Sequence, residues 1–429
     1  SDIFYSSCKK NISPKKRNEI RSQVILLKQN QPVPNNPVFL SATTKKSACN
    51  PRVSILTYSK NEFPESVENY HFMNDTHYHE ITGCIHIHST YSDGSGSIAE
   101  IARAAEDVGL NYIIITDHNN LRALQNEEDG WYGKVLVCIG YEINDVDNAN
   151  HYLALGLSEE VPRHLSAPEY VRAVKQAGGV GIIAHPDERR DVMPEHPPYP
   201  WTAWNINDYQ GIEIWNQMSE WMEGLKPWNQ LWRFIHPRRS VEGPNLRTLK
   251  RWDEANLHRR VVGIGGVDAH AHKHRLIGGL VQVTVFPYKV LFKTIRTHLL
   301  LSHPLKPGEK KHQSQEQIYQ ALRQARAFVS NYALGDARGF TMKAINQQGI
   351  AHIGEQLPFS EPTNMVVQLP VRARMRLIHN GRPTAEREGK RAEFDIEEPG
   401  IYRMEVYRKG RIWIISNHIR IENDGDKLD

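Results

Sequence analysis

Cysteine is scarce, with four residues in 429. That count excludes a disulfide-stapled scaffold, which is short and cysteine-dense. Cys84 and Cys138 lie in the apolar runs GCIHIH and VLVCIG and read as small buried hydrophobes. Cys8 and Cys49 can pair only in an oxidising compartment. Long apolar runs are missing as well: VILLK at 24–28 is far short of the ~18–20 residues of a membrane span, so no membrane partner is expected. Charge of one sign is also lacking. Lys and Arg number 53 against 49 Asp and Glu, a net charge of +4, whereas a dedicated duplex-DNA binder concentrates basic residues in a stripe. No nucleic-acid partner is expected, and the basic cluster KKNISPKKRNEIR at 9–21 reads as a solvated arm. The chain opens on Ser rather than Met, which leaves the compartment (cytoplasmic or periplasmic) open; nothing in the sequence decides the oligomeric state.

What the chain has in excess is histidine, 21 residues, and histidine is the commonest metal ligand. The stretch HIH at 86–88 spaces two of them at i and i+2, so on a strand both imidazoles face one side. Around it runs a βα alternation. GCIHIH, NYIIITDH, VLVCIGYEI, HYLALGL, VGIIAHP, GIEIWN and VVGIGGVDAH read as strands, most of them continuous apolar runs ending in polar residues. SIAEIARAAEDVG reads as a helix, with Ser97 as N-cap, a Glu three residues on and Gly109 at its end. Seven such strands predict an α/β fold, a distorted (β/α)7 barrel, over residues 81–287, with a Trp-rich helical insertion at 217–258. Residues 1–80 read as an irregular or β segment and 288–325 as a helical bridge. From 326 to 429, short alternating segments without a long helix predict a small antiparallel β-sandwich.

The strand ends carry the chemistry. In chain order they hold His86, His88, Asp93, His118, Glu142, His151, His185, Asp268 and His270. Strand ends of a barrel converge on one face, and burying six imidazoles and three carboxylates there without a cation would be costly. The set contains imidazole and carboxylate but no thiolate, which suits about two to three divalent ions of Mn, Zn or Fe. Such ions activate water as a nucleophile at neutral pH. Asp117, Glu213 and Asn216 are candidates for orienting these groups. Arg189 and Arg190, with His272, Lys273, His274 and Arg275, are candidates for clamping an anionic substrate. Six of the nine tryptophans, Trp201, Trp204, Trp215, Trp221, Trp228 and Trp232, crowd one stretch. They either pack the insertion or wall a pocket for an aromatic group.

The motifs HIHSTYSDG, ITDHN, IAHP and VDAH, in that order, resemble those of the PHP (polymerase and histidinol phosphatase) metal-dependent hydrolases. The C-terminal GIYRMEVYRKGRIWIISNHIRI extends the similarity toward the carbaryl-hydrolase-type group. The resemblance implies three metals: one held by His86, His88, Glu142 and Asp268; a second by Glu142, His151 and His185; a third by Asp93, His118 and His270. It also implies that Glu142 bridges two of them. Catalytic roles are expected for Glu142, Asp268, Asp117, Arg189 and His272. The expected partner is a small-molecule substrate, anionic with an aromatic part. A phosphoesterase acting on a phosphomonoester or nucleotide leads, with a carbamate or carboxylic ester hydrolase as the alternative and a non-catalytic metal-containing binding module as the third.

Overall fold

In the computed structural model the described residues are 41–46, 54–59, 77–145, 148–190, 197–276 and 281–423, with the side chains of 41–46, 54–59, 273–276 and 281–283 excepted. Cys8, Cys49 and the basic cluster at 9–21 lie outside them. The chain divides into two units, Ser1–His71 and Phe72–Asp429. In the first, Ser41–Lys46 and Ser54–Ser59 pair as an antiparallel hairpin.

In the second unit seven strands close a ring: β1 (His79–Ile87), β2 (Tyr112–His118), β3 (Val135–Ile143), β4 (Tyr152–Leu155), β5 (Val180–Ile183), β6 (Gly211–Asn216) and β7 (Val262–Ala269). Neighbours pair in chain order, and β7 closes back on β1. All pairings are parallel except the two made by β4, which runs the opposite way. This reversal has a consequence for the site. His151 precedes β4, so inverting the strand carries it to the rim where the other strands present their carboxyl ends.

Period-two alternation separates the layers. Ile85, Ile114, Cys138, Leu153, Ile182 and Ile264 belong to one buried cluster, while Cys84, Ile113, Val137 and Ile139 pack in another with the helix residues Ile98, Ile101 and Ala105. The helix Ile98–Glu106 starts at a capping box between Ser97 and Glu100. Both described cysteines are free and buried.

The expectation of a helical bridge over 288–325 needs correction. Only Tyr288–Leu291 and Lys311–Arg323 are helical, and between them Ile295–Leu301 is a strand. It pairs antiparallel with β1 on one side and with Ala327–Asn331 on the other, which joins the barrel to the C-terminal strands. Nearly every residue of IRTHLLL is buried, so neither face leaves a polar alternation to read. Beyond it, the long strand Thr363–His379 pairs with Thr341–Asn346 along its first half and Gly400–Arg408 along its second. These strands enclose a separate apolar cluster that includes Phe340, Met365, Phe394 and Trp413. No helix among the described residues is long and apolar enough to cross a membrane.

Candidate metal centre

The barrel rim brings all nine sequence-predicted residues together. Glu142, at the end of β3, is the hub. Its Oε1 lies 2.8 Å from His151 Nδ1 and 3.3 Å from His185 Nε2, and its Oε2 lies 3.2, 3.4 and 3.3 Å from His86, His88 and His118. Asp268 Oδ1 is 3.6 Å from His86 Nε2 and 3.4 Å from His88 Nε2. Asp93 Oδ2 is 3.3 Å from His270 Nε2 and 3.8 Å from His118 Nε2. Four overlapping sets have ligand atoms close enough to share an ion: His86–His88–Glu142, His86–His185–Asp268, His118–Glu142–His151 and His88–Asp93–His118–His270. The last contains the expected third set, whereas Asp268 groups with His185 as well as with His86.

Three of these residues sit at positive φ, namely His86 (68°), His185 (26°) and Asp268 (50°). Such conformations cost ~1–3 kcal/mol each for a residue with a Cβ and persist where the surroundings over-determine them. For His86 and His185 the determinant is Glu213 on β6. Its Oε1 is 2.9 Å from His86 Nδ1, and its Oε2 accepts from the His185 backbone N–H at 2.7 Å and from Asn216 Nδ2 at 2.9 Å. One carboxylate thus orients two of the clustered residues. Gly266 on β7 makes room for it, since a Cβ there would meet Glu213 Oε1 at 1.6 Å.

The polar bookkeeping of the cluster fails without a guest. His86 Nε2, both nitrogens of His88, His151 Nε2 and His185 Nδ1 are buried with no hydrogen-bond partner. A buried polar atom left unsatisfied costs ~1–3 kcal/mol, and most native buried polar groups avoid it. Electrostatics agrees. Burial pushes the Glu142 and Asp268 carboxyls up, but the surrounding imidazoles outweigh it and hold both well below the usual carboxylate range. Burial lowers the His88 imidazole to about 3. Burial opposes charge on His185 too, but Glu188 and Glu142 overcome it and raise the group to about 9. Carboxylates that hold His185 protonated mark a place where positive charge is favoured, and these imidazole and carboxylate groups fit borderline divalent cations, which would displace that proton.

The PHP domain family model matches residues 85–273. The chain carries a PHP domain. A curated relative, the uncharacterized protein MJ1587 of Methanocaldococcus jannaschii, is 30% identical over 114 residues, which are 24% of this chain and 66% of that protein. Among solved structures, a two-domain protein from Bacteroides vulgatus, described as containing a predicted PHP-like metal-dependent phosphoesterase, is 15% identical with a TM-score of 0.39. That likeness covers 80% of this chain and 95% of the other. An amidohydrolase from Chromobacterium violaceum is 14% identical with a TM-score of 0.26, covering 44% of this chain and 87% of the other. At such scores the assignment rests on the family match.

The PHP domain's cluster forms the floor of a cavity of about 550 Å³. One wall is apolar, built from Trp221, Phe234, Phe286, Met218, Met222 and Val285. Trp221 meets Phe286 and Phe234 edge-on at 4.6 and 4.9 Å. The other side is polar and holds Asn119, Asn144, Asn148, Arg190, Tyr199 and His272. Tyr199 stacks on His151 at 4.7 Å, and the Arg190 guanidinium lies 5.5 Å from the Tyr199 ring centre and bonds Glu188.

Two expected catalytic residues need correction. Asp117 is buried outside the cavity, and its oxygens accept from Ser89 N (2.8 Å), Ser89 Oγ (2.6 Å) and Ser92 Oγ (2.6 Å). It pins the loop that carries His88 and Asp93, so it is a scaffold group. Arg189 is exposed and does not line the cavity, whereas its neighbour Arg190 does. Beside a loop the side that each residue faces is set by the turn, which sequence spacing does not reveal. His272 lines the cavity and stacks on His270 at 5.1 Å. The side chains of Lys273, His274 and Arg275 lie outside the described ones. Tyr199 and Phe286 on loops and Phe234 on a short helix went unread because they sit away from the strand-end positions that betray the cluster.

Proposed function

We propose that this chain is a metal-dependent hydrolase, and that a phosphoesterase acting on a small phosphomonoester or nucleotide is its best reading. The observation that carries it is the set of partnerless ring nitrogens converging with ionised carboxylates on the floor of an open cavity. His86, His88, Glu142 and Asp268, then Glu142, His151 and His185, then Asp93, His118 and His270 would hold about two to three divalent ions of Mn, Zn or Fe. When bound, such ions supply Lewis-acid polarisation of the substrate and a nucleophilic water at neutral pH.

The chain's own residues do the rest. Glu213 keeps the His86 lone pair aimed at the cluster through the bond to Nδ1, the carboxylate–histidine arrangement that raises ligand basicity. Arg190 supplies a guanidinium on the polar wall, a good partner for a dianionic head group. The Trp221–Phe234–Phe286 wall excludes water from one side and favours a flat apolar substituent. Charge favours phosphate: three divalent ions outweigh Asp93, Glu142 and Asp268, although Glu213 returns part of the excess. The same apolar wall favours a second reading, hydrolysis of an aryl carbamate or carboxylic ester. Comparing kcat/KM of the metal-loaded protein on an aryl phosphate, a nucleotide, an aryl ester and the matching aryl N-methylcarbamate decides between them. The phosphate should be preferred, and a carbamate preference of about tenfold, ~1.4 kcal/mol of transition-state binding, would reverse the choice.

A further inference from the structure

The helix Gln230–Ile235 is turned inside out. A surface helix normally buries its apolar stripe and exposes its charges. Here Arg233 is the buried residue, at 6% exposure, with its guanidinium donating to the carbonyls of Ser240 (3.1 Å) and Glu220 (3.3 Å). Gly224 makes room for it, because a Cβ there would meet the guanidinium at 2.0 Å. The outward side presents Trp228, Leu231, Trp232 and Ile235, exposed by 83, 75, 49 and 62%. Leu231, Trp232 and Ile235 share one side of the helix, and Trp228 stands on the turn just before it. Large apolar side chains left together in water mark an interaction surface.

The charge around this face decides the occupant. From Gly224 to Val241 the chain has no Asp or Glu, while Lys226, Arg238 and Arg239 flank the tryptophans. Arg238 and Arg239 are exposed on the turn Pro237–Ser240 that directly follows the helix. A second copy docked face to face would bring these cations against their own equivalents. An anionic lipid surface meets both features: tryptophan settles at the bilayer interface, and basic residues pair with acidic head groups.

We infer that the segment 226–239 docks the protein peripherally on an anionic membrane surface. The expectation of no membrane partner came from the lack of a spanning run, and surface docking needs none. Phe234 belongs to the same helix and also lines the cavity, so the docked face adjoins its apolar wall.

The test is co-sedimentation of the full chain with phosphatidylcholine vesicles, with and without phosphatidylserine, at low and high salt. Binding should require phosphatidylserine, weaken with salt and shift tryptophan emission to the blue. The pair Arg238→Gln with Arg239→Gln should lower the partition coefficient roughly thirtyfold, and the pair Trp228→Ser with Leu231→Ser should abolish binding. Both variants change exposed side chains and should keep the wild-type circular dichroism and Tm. Absence of binding to acidic vesicles overturns the inference, as does binding that neither pair alters. A dimer in light scattering that the Trp228→Ser and Leu231→Ser pair dissociates overturns it too, by assigning the face to a second copy. The readout involves no turnover, so failure here leaves the hydrolase reading standing.

Discussion

At the seam between the barrel and the C-terminal strands, Asp253 accepts from Arg403 Nε and Nη2 at 2.7 and 2.9 Å and meets His418 Nε2 at 2.8 Å, while Arg403 Nη1 reaches Glu405 at 2.9 Å. On the strand Ile295–Leu301 that joins the two parts, His298 has both ring nitrogens engaged, Nδ1 with Glu80 Oε1 at 2.7 Å and Nε2 with Ser330 Oγ at 2.8 Å. At the mouth of the same barrel, Glu142 is surrounded by five imidazoles, and no Lys or Arg among the described residues pairs with it. Both regions bury histidine beside carboxylate. The seam pairs its carboxylates with a guanidinium and leaves one ring nitrogen, His418 Nδ1, without a partner, against five at the mouth. The mouth has no such guanidinium among the described residues, and its imidazoles and carboxylates suit a divalent cation as counter-charge. Residue type alone does not distinguish the two regions; the presence of an internal counter-charge does.

The largest effect should come from emptying the mouth. His88→Ala and Asp268→Asn are expected to abolish turnover and lower bound metal while the seam, and with it the cooperative unfolding transition, survives. Asparagine is chosen at 268 because it tolerates the positive φ there. Activity and elemental analysis of each variant check this, and full activity in either would mean the cluster has been misread. Breaking the seam should do the reverse. Arg403→Leu strands Asp253 and Glu405 and should cost ~3–5 kcal/mol of stability in urea unfolding, with metal content per folded chain unchanged.

A smaller loss is expected from Glu213→Gln, which keeps the shape but removes the charge behind His86. Metal affinity measured by competition with a chelator should fall by ~10–100-fold. An unchanged affinity would make Glu213 a packing group. The mildest probe is acid. Protons compete with cations for imidazole, so metal should leave the mouth as pH falls below the ordinary histidine range. At the seam, burial pushes the Asp253 carboxyl up, but Arg403 and His418 outweigh it and hold the group near 2. Its folded pKa lies below its unfolded value, so its stabilisation is fully present above ~3.8 and is lost as pH falls toward 2. Metal release should therefore precede loss of the seam in a joint titration by elemental analysis and circular dichroism.

The sequence made the mouth readable because its chemistry recurs at one topological position. HIH, ITDH, GYEI, IAHP and VDAH each place a ligand-type residue where a strand ends, and all nine residues converge. Even His151, at the start of HYLALGL, joins them once β4 is seen to run in reverse. The seam was not readable. Asp253, Arg403 and His418 stand far apart in sequence on a helix, a strand and a link between strands, and no local pattern joins them. Ile295–Leu301 was hidden for a related reason, since a strand covered on both faces loses its alternation. Asp117 had the right residue type, but the adjacent loop claims its oxygens. Arg189 and Arg190 are neighbours that a single turn separates into solvent and cavity.

The difference between a self-sufficient seam and an incomplete mouth comes down to one quantity, the metal content of protein purified without chelator. Such protein should carry about two to three divalent transition-metal ions per chain, lost together in His88→Ala and retained in Arg403→Leu. Fewer than about one ion per chain, with no gain on reconstitution with Mn, Zn or Fe, would contradict it.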